Sequence, residues 1–213
     1  TSMFVPSGTQ SNLAALMTHC GRGDEYLVGQ QAHTYLFEGG GGATLGGLQP
    51  QPIDQEPDGT LDLKKLAVLI KPDDYHYART RLLCLENTTW GKVLSQEYLA
   101  AAKTFVDEHG LALHLDGARI FNAAVDQGIS ASEVAAPFDS VSACLSKGLG
   151  CPVGSVLAGP ADFVKEAKRW RKMLGGGMRQ SGILAAAGIH ALQNHVDRLT
   201  EDHANARLLA EGL

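Results

Sequence analysis

Short apolar runs alternate along this chain with longer segments of helical apolar spacing, and that alternation is the feature that most restricts its fold. Runs typical of buried strands occur at residues 3–5, 26–28, 81–87, 111–115 and 140–145. Helical spacing follows Pro6 and recurs at residues 61–70, 98–109, 161–173 and 183–195. Strands that alternate with helices predict crossover connections on a mainly parallel sheet, so we expect an α/β fold.

Length, charge and cysteine usage exclude several classes of protein. At 213 residues the chain suits one large domain. Its net charge of −5 and its lack of a basic run argue against nucleic acid and membrane surfaces as partners. No apolar stretch approaches the ~18 residues of a membrane span. The four cysteines match no zinc-ligand spacing, so we expect no metal site and a reducing compartment such as the cytoplasm.

Polar residues stand at the carboxyl ends of three predicted strands, which is where sheets of this kind bind ligands. These residues are Glu86 and Asn87, Asp116 and Arg119, and Ser146 and Lys147. Their coincidence predicts a ligand site at one edge of the sheet.

Lys147 and Asp116 each admit two interpretations. A lysine that follows an apolar strand is partly desolvated, which suits Schiff-base chemistry, whereas a surface lysine in a turn is the simpler alternative. A buried Asp116 needs a cationic partner such as a protonated pyridine nitrogen, but aspartate is equally typical of a helix N-cap. The presence of both residues about one crossover apart favours the cofactor interpretation.

Two glycine-containing segments bear on phosphate binding. Residues 7–10 lie between a strand and a helix, where free N–H groups and the helix dipole attract an anion. An ordinary capped helix start is the alternative. Neither this segment nor residues 39–47 match the phosphate-loop or dinucleotide fingerprint, which disfavours a nucleotide-binding domain.

Histidines and one arginine are weaker candidates. His33 fits stacking on a planar cofactor or acting as a base, although a lone histidine is more often structural. Arg179, in a basic glycine-rich segment, fits either a phosphate contact or a solvated charge. We expect the remaining histidines of the last helices, His190, His195 and His203, to face solvent.

Six short motifs occur together in a fixed order. They are SGTQSN at 7–12, QAH at 31–33, LENT at 85–88, HLDGAR at 114–119, LSKGLG at 145–150 and GGMRQ at 176–180. The ordered set resembles the low-specificity L-threonine aldolases of the bacterial type, and the resemblance extends over essentially the whole chain.

This resemblance implies a fold-type-I enzyme that uses pyridoxal 5′-phosphate, with a three-layer αβα, aspartate aminotransferase-like large domain and a mostly parallel sheet. It implies a lyase of threonine catabolism that splits a small amino-acid substrate, L-threonine or L-allo-threonine, into glycine and acetaldehyde. It further implies a cytoplasmic homodimer or homotetramer. The chain begins without methionine and ends inside a helical pattern. We therefore expect residues 1–213 to be the large domain of a longer protein, without its N-terminal segment and small C-terminal domain, and to turn over poorly alone.

The resemblance also assigns roles in cofactor binding by position. Lys147 matches the lysine that binds the cofactor covalently, and Asp116 matches the partner of its pyridine nitrogen. His33 matches the histidine stacked on its ring. Contacts to the cofactor phosphate are matched by Gly8, Thr9 and Arg179.

Two further residues match the substrate side of the family's site. Arg119 matches an arginine near the cofactor that helps to hold the substrate carboxylate. His76 matches a second active-site histidine, linked to the substrate hydroxyl. His33, His76 and a bound water are equal candidates for the base.

One departure and three alternatives accompany the resemblance. Where relatives often carry a histidine, this chain has Thr88, Thr89 and Trp90, which is expected to alter substrate preference. The alternatives are another fold-type-I lyase, an aminotransferase acting on a small amino acid, and a cofactor-binding fragment without turnover.

Overall fold

The computed structural model describes residues 1–213 as seven strands and ten helices. The strands are β1 (Ser2–Val5), β2 (Glu25–Gly29), β3 (Gln49–Ile53), β4 (Thr80–Glu86), β5 (Ala112–Asp116), β6 (Ser140–Cys144) and β7 (Ser155–Ala158). The helices are α1 (Gly8–His19), α2 (His33–Leu36), α3 (Gly41–Thr44), α4 (Leu63–Leu69), α5 (Gln96–His109), α6 (Ile120–Gln127), α7 (Ala131–Ala135), α8 (Ala161–Met173), α9 (Gly182–Asn194) and α10 (Leu199–Glu211). None of these helices is both long enough and apolar enough to cross a membrane.

All seven strands form one sheet in the order β1-β7-β6-β5-β4-β2-β3. The neighbours from β3 to β6 are parallel, whereas β7 runs antiparallel to both β6 and β1. The carboxyl ends of β1, β2, β4, β5 and β6 therefore meet at one edge of the sheet. This topology confirms the predicted α/β fold with a mostly parallel sheet. The antiparallel β7 is an addition that the sequence did not predict.

Helices cover both faces of the sheet because alternate side chains of each strand point to opposite sides. On β4, Leu83 and Leu85 belong to the large apolar cluster that includes residues of α4 to α7. Leu82 and Cys84 belong instead to a cluster with Leu16 of α1. A third cluster joins β1 and β7 to α1 and α8. The layers are therefore helix, sheet and helix, as expected.

Strand β3 is not predicted by the sequence pattern. Its sequence contains Pro50 and Pro52, and proline cannot donate a hydrogen bond to a neighbouring strand. β3 lies at the end of the sheet and pairs only with β2. Since alternate residues of a strand turn their N–H groups to opposite sides, both prolines can face the unpaired side. An edge position therefore makes this strand possible.

Candidate active site

Asp116 is the last residue of β5 and is only 2% exposed. Its Oδ2 accepts a hydrogen bond from Asn12 Nδ2 at 2.8 Å, and its Oδ1 accepts one from the Ala118 N–H at 3.1 Å. Burial raises the pKa of Asp116, against the hydrogen bond from Ala118 and the nearby positive charge of Lys147. Because both hydrogen-bond donors are neutral, this carboxyl group has the environment of one that requires a cationic partner.

Lys147 lies half-buried in the turn that follows β6. Burial raises the pKa of both Asp116 and Glu86, and the positive charge of Lys147 opposes both rises. The turn is closely packed, since a Cβ at Gly148 would lie 2.9 Å from Asn122 Oδ1. The structure thus brings Lys147 and Asp116 to the same edge of the sheet, as the sequence predicts.

The first turn of α1 faces this edge as well. Ser7 caps the helix, and its Oγ accepts the Gln10 N–H at 3.1 Å. The N–H groups of Gly8 and Thr9 make no hydrogen bond within the chain. A Cβ at Gly8 would lie 2.8 Å from Cys144 Sγ, so glycine allows the helix start to approach the end of β6 closely. Two free amides at a helix N-terminus form an arrangement suited to an anion.

Arg179 is exposed and lies in the loop between α8 and α9. This loop is attached to α1, because Gln10 Nε2 donates to the Leu174 carbonyl at 3.1 Å. The loop and helix are in close contact, since a Cβ at Gly176 would lie 1.6 Å from Gln10 Oε1. The loop that carries Arg179 therefore lies beside the first turn of α1.

His33 begins α2, just beyond the carboxyl end of β2, and its side chain is 39% exposed. Its backbone N–H donates to Glu86 Oε2 at 2.8 Å. Its Nδ1 lies 2.9 Å from Oε1 of Glu38, a buried residue that also accepts a hydrogen bond from Asn12 Nδ2 at 2.8 Å. The sequence had assigned Glu38 no role. The one signal available was an acid that closes the apolar run of residues 35–37.

Three acids converge on this region, and burial favours their protonated forms. Burial raises the pKa of Glu38 to about 8. Burial, together with the charge of Asp116, raises the pKa of Glu86 to about 7. Ligand atoms of His33, Glu38 and Asp116 lie within 4.8 Å of one another, and the hydrogen bonds of Asn12 and His33 account for this proximity. Positive charge placed beside these acids would lower their pKa values and favour their ionised forms.

A cleft of about 150 Å³ opens beside His33. It is lined by Gln31, His33, Phe37, Glu86, Trp90 and Arg119. Arg119 reaches it as the exposed residue that precedes α6. Trp90 is held at the cleft by its Nε1, which donates to the Gln31 carbonyl at 3.0 Å. The arginine, the histidine and the aromatic departure noted in the sequence therefore share one cleft.

His76 is the one predicted site residue that this chain does not bring to the others. It lies in the segment that leads into the amino end of β4, with its side chain 64% exposed and its Nδ1 2.7 Å from Asp74 Oδ1. The seven residues of β4, about 20 Å of strand, separate that end from the carboxyl edge. Its role at the substrate hydroxyl stays a prediction.

The expectation that the last histidines all face solvent is wrong for two of them. His190 is exposed, but His195 Nδ1 lies 2.7 Å from the carbonyl oxygen of Leu149, and His203 Nε2 lies 3.2 Å from Asn122 Nδ2. Both side chains are partly buried because α9 and α10 pack against the turn after β6 and against α6.

Comparison with known proteins gives consistent results. The family profile described as "Beta-eliminating lyase" matches residues 1–213. The low specificity L-threonine aldolase of Escherichia coli (strain K12) is 63% identical over 212 residues, which cover 100% of this chain and 64% of that protein. Low-specificity L-threonine aldolase 1 of Arabidopsis thaliana is 46% identical over 218 residues, covering 100% and 61%. The chain therefore spans less than two thirds of the length of these curated relatives.

Solved structures extend the likeness to the fold. A threonine aldolase from Leishmania major superposes with a TM-score of 0.88 at 24% identity, covering 100% of this chain and 64% of that one. An aspartate aminotransferase from Thermus thermophilus gives a TM-score of 0.77 at 20% identity, covering 100% and 56%. At these identities the likeness concerns the fold, and it confirms the aspartate aminotransferase-like class.

Proposed function

The chain belongs to the beta-eliminating lyase family, and from this membership we propose that it is the large domain of a lyase that cleaves L-threonine and L-allo-threonine into glycine and acetaldehyde. The main support for the proposal is that Lys147 and the buried Asp116 lie at the same carboxyl edge of the sheet. The identity of 63% to a low specificity L-threonine aldolase supports the choice of reaction. The homodimer or homotetramer and the cytoplasmic location implied by the resemblance remain predictions.

The residues at this edge fit pyridoxal 5′-phosphate as a cofactor. Asp116, with a raised pKa and only neutral hydrogen-bond donors, suits a protonated pyridine nitrogen. The free amides of Gly8 and Thr9 suit the phosphate, with Arg179 on the adjoining loop. Lys147 would hold the cofactor through its amine. When bound, the cofactor supplies an electron sink for the carbanion left by cleavage of the Cα–Cβ bond.

The cleft supplies groups for the substrate. Arg119 would bind the carboxylate and so turn the Cα–Cβ bond toward the orientation in which it breaks, which is a positioning effect. His33, which lines the same cleft, or a bound water would accept the β-hydroxyl proton. Asp116 would keep the proton on the ring nitrogen throughout. The exposed indole of Trp90 lines the cleft and would contact the substrate's β-substituent, which supports an effect on preference.

β-Elimination is the second candidate, because the matching family is described by that reaction. The two reactions share a cofactor and an amine-bearing substrate but differ in their products. Aldol cleavage yields glycine and an aldehyde, whereas elimination yields ammonia and a keto acid. Product identity therefore separates them without reference to the cofactor.

The experiment uses the full-length protein with pyridoxal 5′-phosphate, before and after borohydride reduction, followed by peptide mapping and by assay of acetaldehyde from L-threonine. The proposal expects a reduced adduct on Lys147 and acetaldehyde in equal amount to glycine. Lys147→Ala should lose both, while Lys103→Ala, whose lysine pairs with Asp107 on the surface of α5, should keep both. An adduct spread over surface lysines, or ammonia in place of glycine, would overturn the proposal.

A further inference from the structure

Glu38 is a buried acid for which the proposed reaction has no use. It is 8% exposed and follows the short helix α2. A single oxygen, Oε1, receives two contacts, from Asn12 Nδ2 at 2.8 Å and from His33 Nδ1 at 2.9 Å. Burial of a carboxyl group costs stability unless hydrogen bonds compensate for the loss of water, so the two contacts of Glu38 need an explanation. One of them is to His33, a candidate proton acceptor.

The contacts of Asn12 indicate that its Nδ2 faces the two acids and its Oδ1 faces His114. Its Nδ2 lies 2.8 Å from both Glu38 Oε1 and Asp116 Oδ2, and its Oδ1 lies 3.3 Å from His114 Nε2. An amide nitrogen has two protons to donate, and both acids accept. The remaining contact is satisfied only if His114 donates from Nε2 to Asn12 Oδ1.

The hydrogen bonds continue from His114 through Ser140 to His19 at the far end of α1. His114 and His19 are neutral, because burial lowers their pKa values to about 3 and about 4. His114 therefore has an unprotonated Nδ1, which accepts the Ser140 hydroxyl at 2.7 Å. His19 Nε2 then donates to Ser140 Oγ, also at 2.7 Å. Every donor along this chain of hydrogen bonds then points toward Asn12, which agrees with the orientation of its amide.

Glu38 Oε1 accepts the Asn12 N–H in either ionisation state, and it also accepts from His33 Nδ1 when the carboxyl group is ionised or carries its proton on Oε2. We propose that Glu38 is a positioning residue, which holds the His33 ring with its proton on Nδ1 so that Nε2 is left as the proton acceptor of the cleft. His33 Nε2 makes no hydrogen bond within the chain, and the backbone of His33 is tied separately to Glu86. The use of Nε2 in cleavage rests on the proposed function, whereas the tautomer is a property of the chain alone.

Other charged or titratable groups surround this pair. They are Glu86 on β4, Asp116 on β5, Lys147 after β6, Tyr26 on β2 and Arg119 before α6. Of these, Glu86 contacts His33 through the backbone only, and the ring itself contacts Glu38. The tautomer therefore depends on one side chain, which makes it open to a direct test.

The first measurement is the tautomer of His33 in the full-length, cofactor-free protein labelled with ¹⁵N-histidine, with the His33 signals identified by their loss in His33→Gln. Long-range ¹H–¹⁵N correlations distinguish a protonated Nδ1 from a protonated Nε2. The native protein should show the proton on Nδ1. Glu38→Ala should move most of the population to Nε2–H, whereas Glu38→Gln, whose carbonyl oxygen still accepts from Asn12 and His33, should keep Nδ1–H.

The second measurement is the kinetic effect on acetaldehyde release. Glu38→Ala should lower kcat by roughly 10- to 100-fold, less than the ~10²–10⁴-fold that a proton acceptor itself supplies, with KM and cofactor affinity nearly unchanged. Glu38→Gln should recover most of kcat. Glu25→Gln is the matched control, since Glu25 is also buried but lies at the opposite edge of the sheet, and it should leave the His33 tautomer unchanged.

The outcomes separate the two proposals. A native protein with His33 protonated on Nε2, or a Glu38→Ala variant that keeps Nδ1–H, overturns the role of Glu38 even if threonine is cleaved. Loss of kcat in Glu38→Gln equal to that in Glu38→Ala overturns it as well. The expected tautomers in a protein that releases no acetaldehyde from threonine would instead refute the proposed function and leave the positioning role standing.

Discussion

Replacing Glu38 with glutamine should stabilise the cofactor-free chain at alkaline pH. Burial raises the pKa of Glu38 from 4.5 to about 8 in the folded chain, whereas in the unfolded chain it titrates near 4.5. Between these values the folded state holds a proton that the unfolded state has released, so the free energy of unfolding falls as pH rises. The loss is complete above pH 8 and absent below pH 4.5. Glutamine carries no ionisable proton, so the variant should escape this loss.

The size of the effect follows from the same two values. The difference between about 8 and 4.5 corresponds to roughly 5 kcal/mol at about 1.4 kcal/mol per pKa unit, which is an upper bound. Relaxation of the structure around the charged form and the attraction of Lys147 both reduce this free-energy difference. We take about a third of the upper bound, which is about 1–2 kcal/mol. For a chain of this length 1 kcal/mol moves the unfolding temperature by about 2–4 °C. We therefore expect Glu38→Gln to unfold about 2–8 °C higher than the native chain at pH 9, with no gain at pH 4.

The assay is thermal unfolding followed by circular dichroism between pH 4 and pH 9, without cofactor. Glu25→Gln is the control, because Glu25 is also buried but its Oε2 lies 3.4 Å from Lys71 Nζ, and it accepts hydrogen bonds from Gln49 and Thr80. Breaking that buried ion pair should lower the unfolding temperature at neutral and alkaline pH. Parallel curves for the native chain and Glu38→Gln across the whole pH range would refute the reasoning, since they would mean that Glu38 ionises alike in both states.

Three further predictions concern other buried or closely packed residues. Burial lowers the pKa of His114 from 6.5 to about 3, so between these pH values the unfolded chain binds a proton that the folded chain does not. The free energy of unfolding therefore falls as pH falls from 6.5 toward 3. His114→Gln should reduce this fall, as measured by urea unfolding. Gly8→Ala should weaken binding of pyridoxal 5′-phosphate by roughly tenfold or more, about 1.4 kcal/mol. The new Cβ would lie 2.8 Å from Cys144 Sγ and push the start of α1 away from the end of β6. Fluorescence titration with the cofactor measures the change in affinity. Asp116→Ala should lower kcat for threonine cleavage far more than cofactor affinity, since the proton on the ring nitrogen matters to bond breaking rather than to anchoring; steady-state kinetics and cofactor titration together measure both.

Each of these has a control and a contradicting result. If the free energy of unfolding falls with pH in His114→Gln as steeply as in the native chain, His114 takes up its proton in the folded chain as readily as in the unfolded chain. Gly8→Ala should leave binding of pyridoxal, which lacks the phosphate, nearly unchanged, and an equal loss for both ligands would argue against a phosphate site there. A kcat in Asp116→Ala equal to the native value would remove Asp116 from the reaction.

Local pattern was sufficient for the elements whose signals are carried by neighbouring residues. α5 was predicted over residues 98–109 and spans Gln96–His109, since Gly110 takes the left-handed conformation (φ 65°) at its end and Ser95 caps its start. β4 and β5 were recognised from apolar runs buried on both faces. β3 was missed because its prolines are acceptable only at an edge, whereas α10 lies in the helical pattern expected at the end of the chain.

For the candidate site, sequence pattern is sufficient to place Asp116 and Lys147 at strand ends, because the strands that precede them are recognisable and parallel strands end at one edge. It also determined the glycine-containing helix start at Gly8. The pair formed by Glu38 and His33, and its link to Asp116 through Asn12, is visible only in the folded chain. They are five residues apart, a spacing that matches neither a helical face nor strand alternation, and Asn12 reaches them from a helix distant in sequence. The tertiary structure likewise decided that His76 lies at the opposite edge, since position along the chain does not reveal at which end of a strand a loop emerges until the strand directions are known.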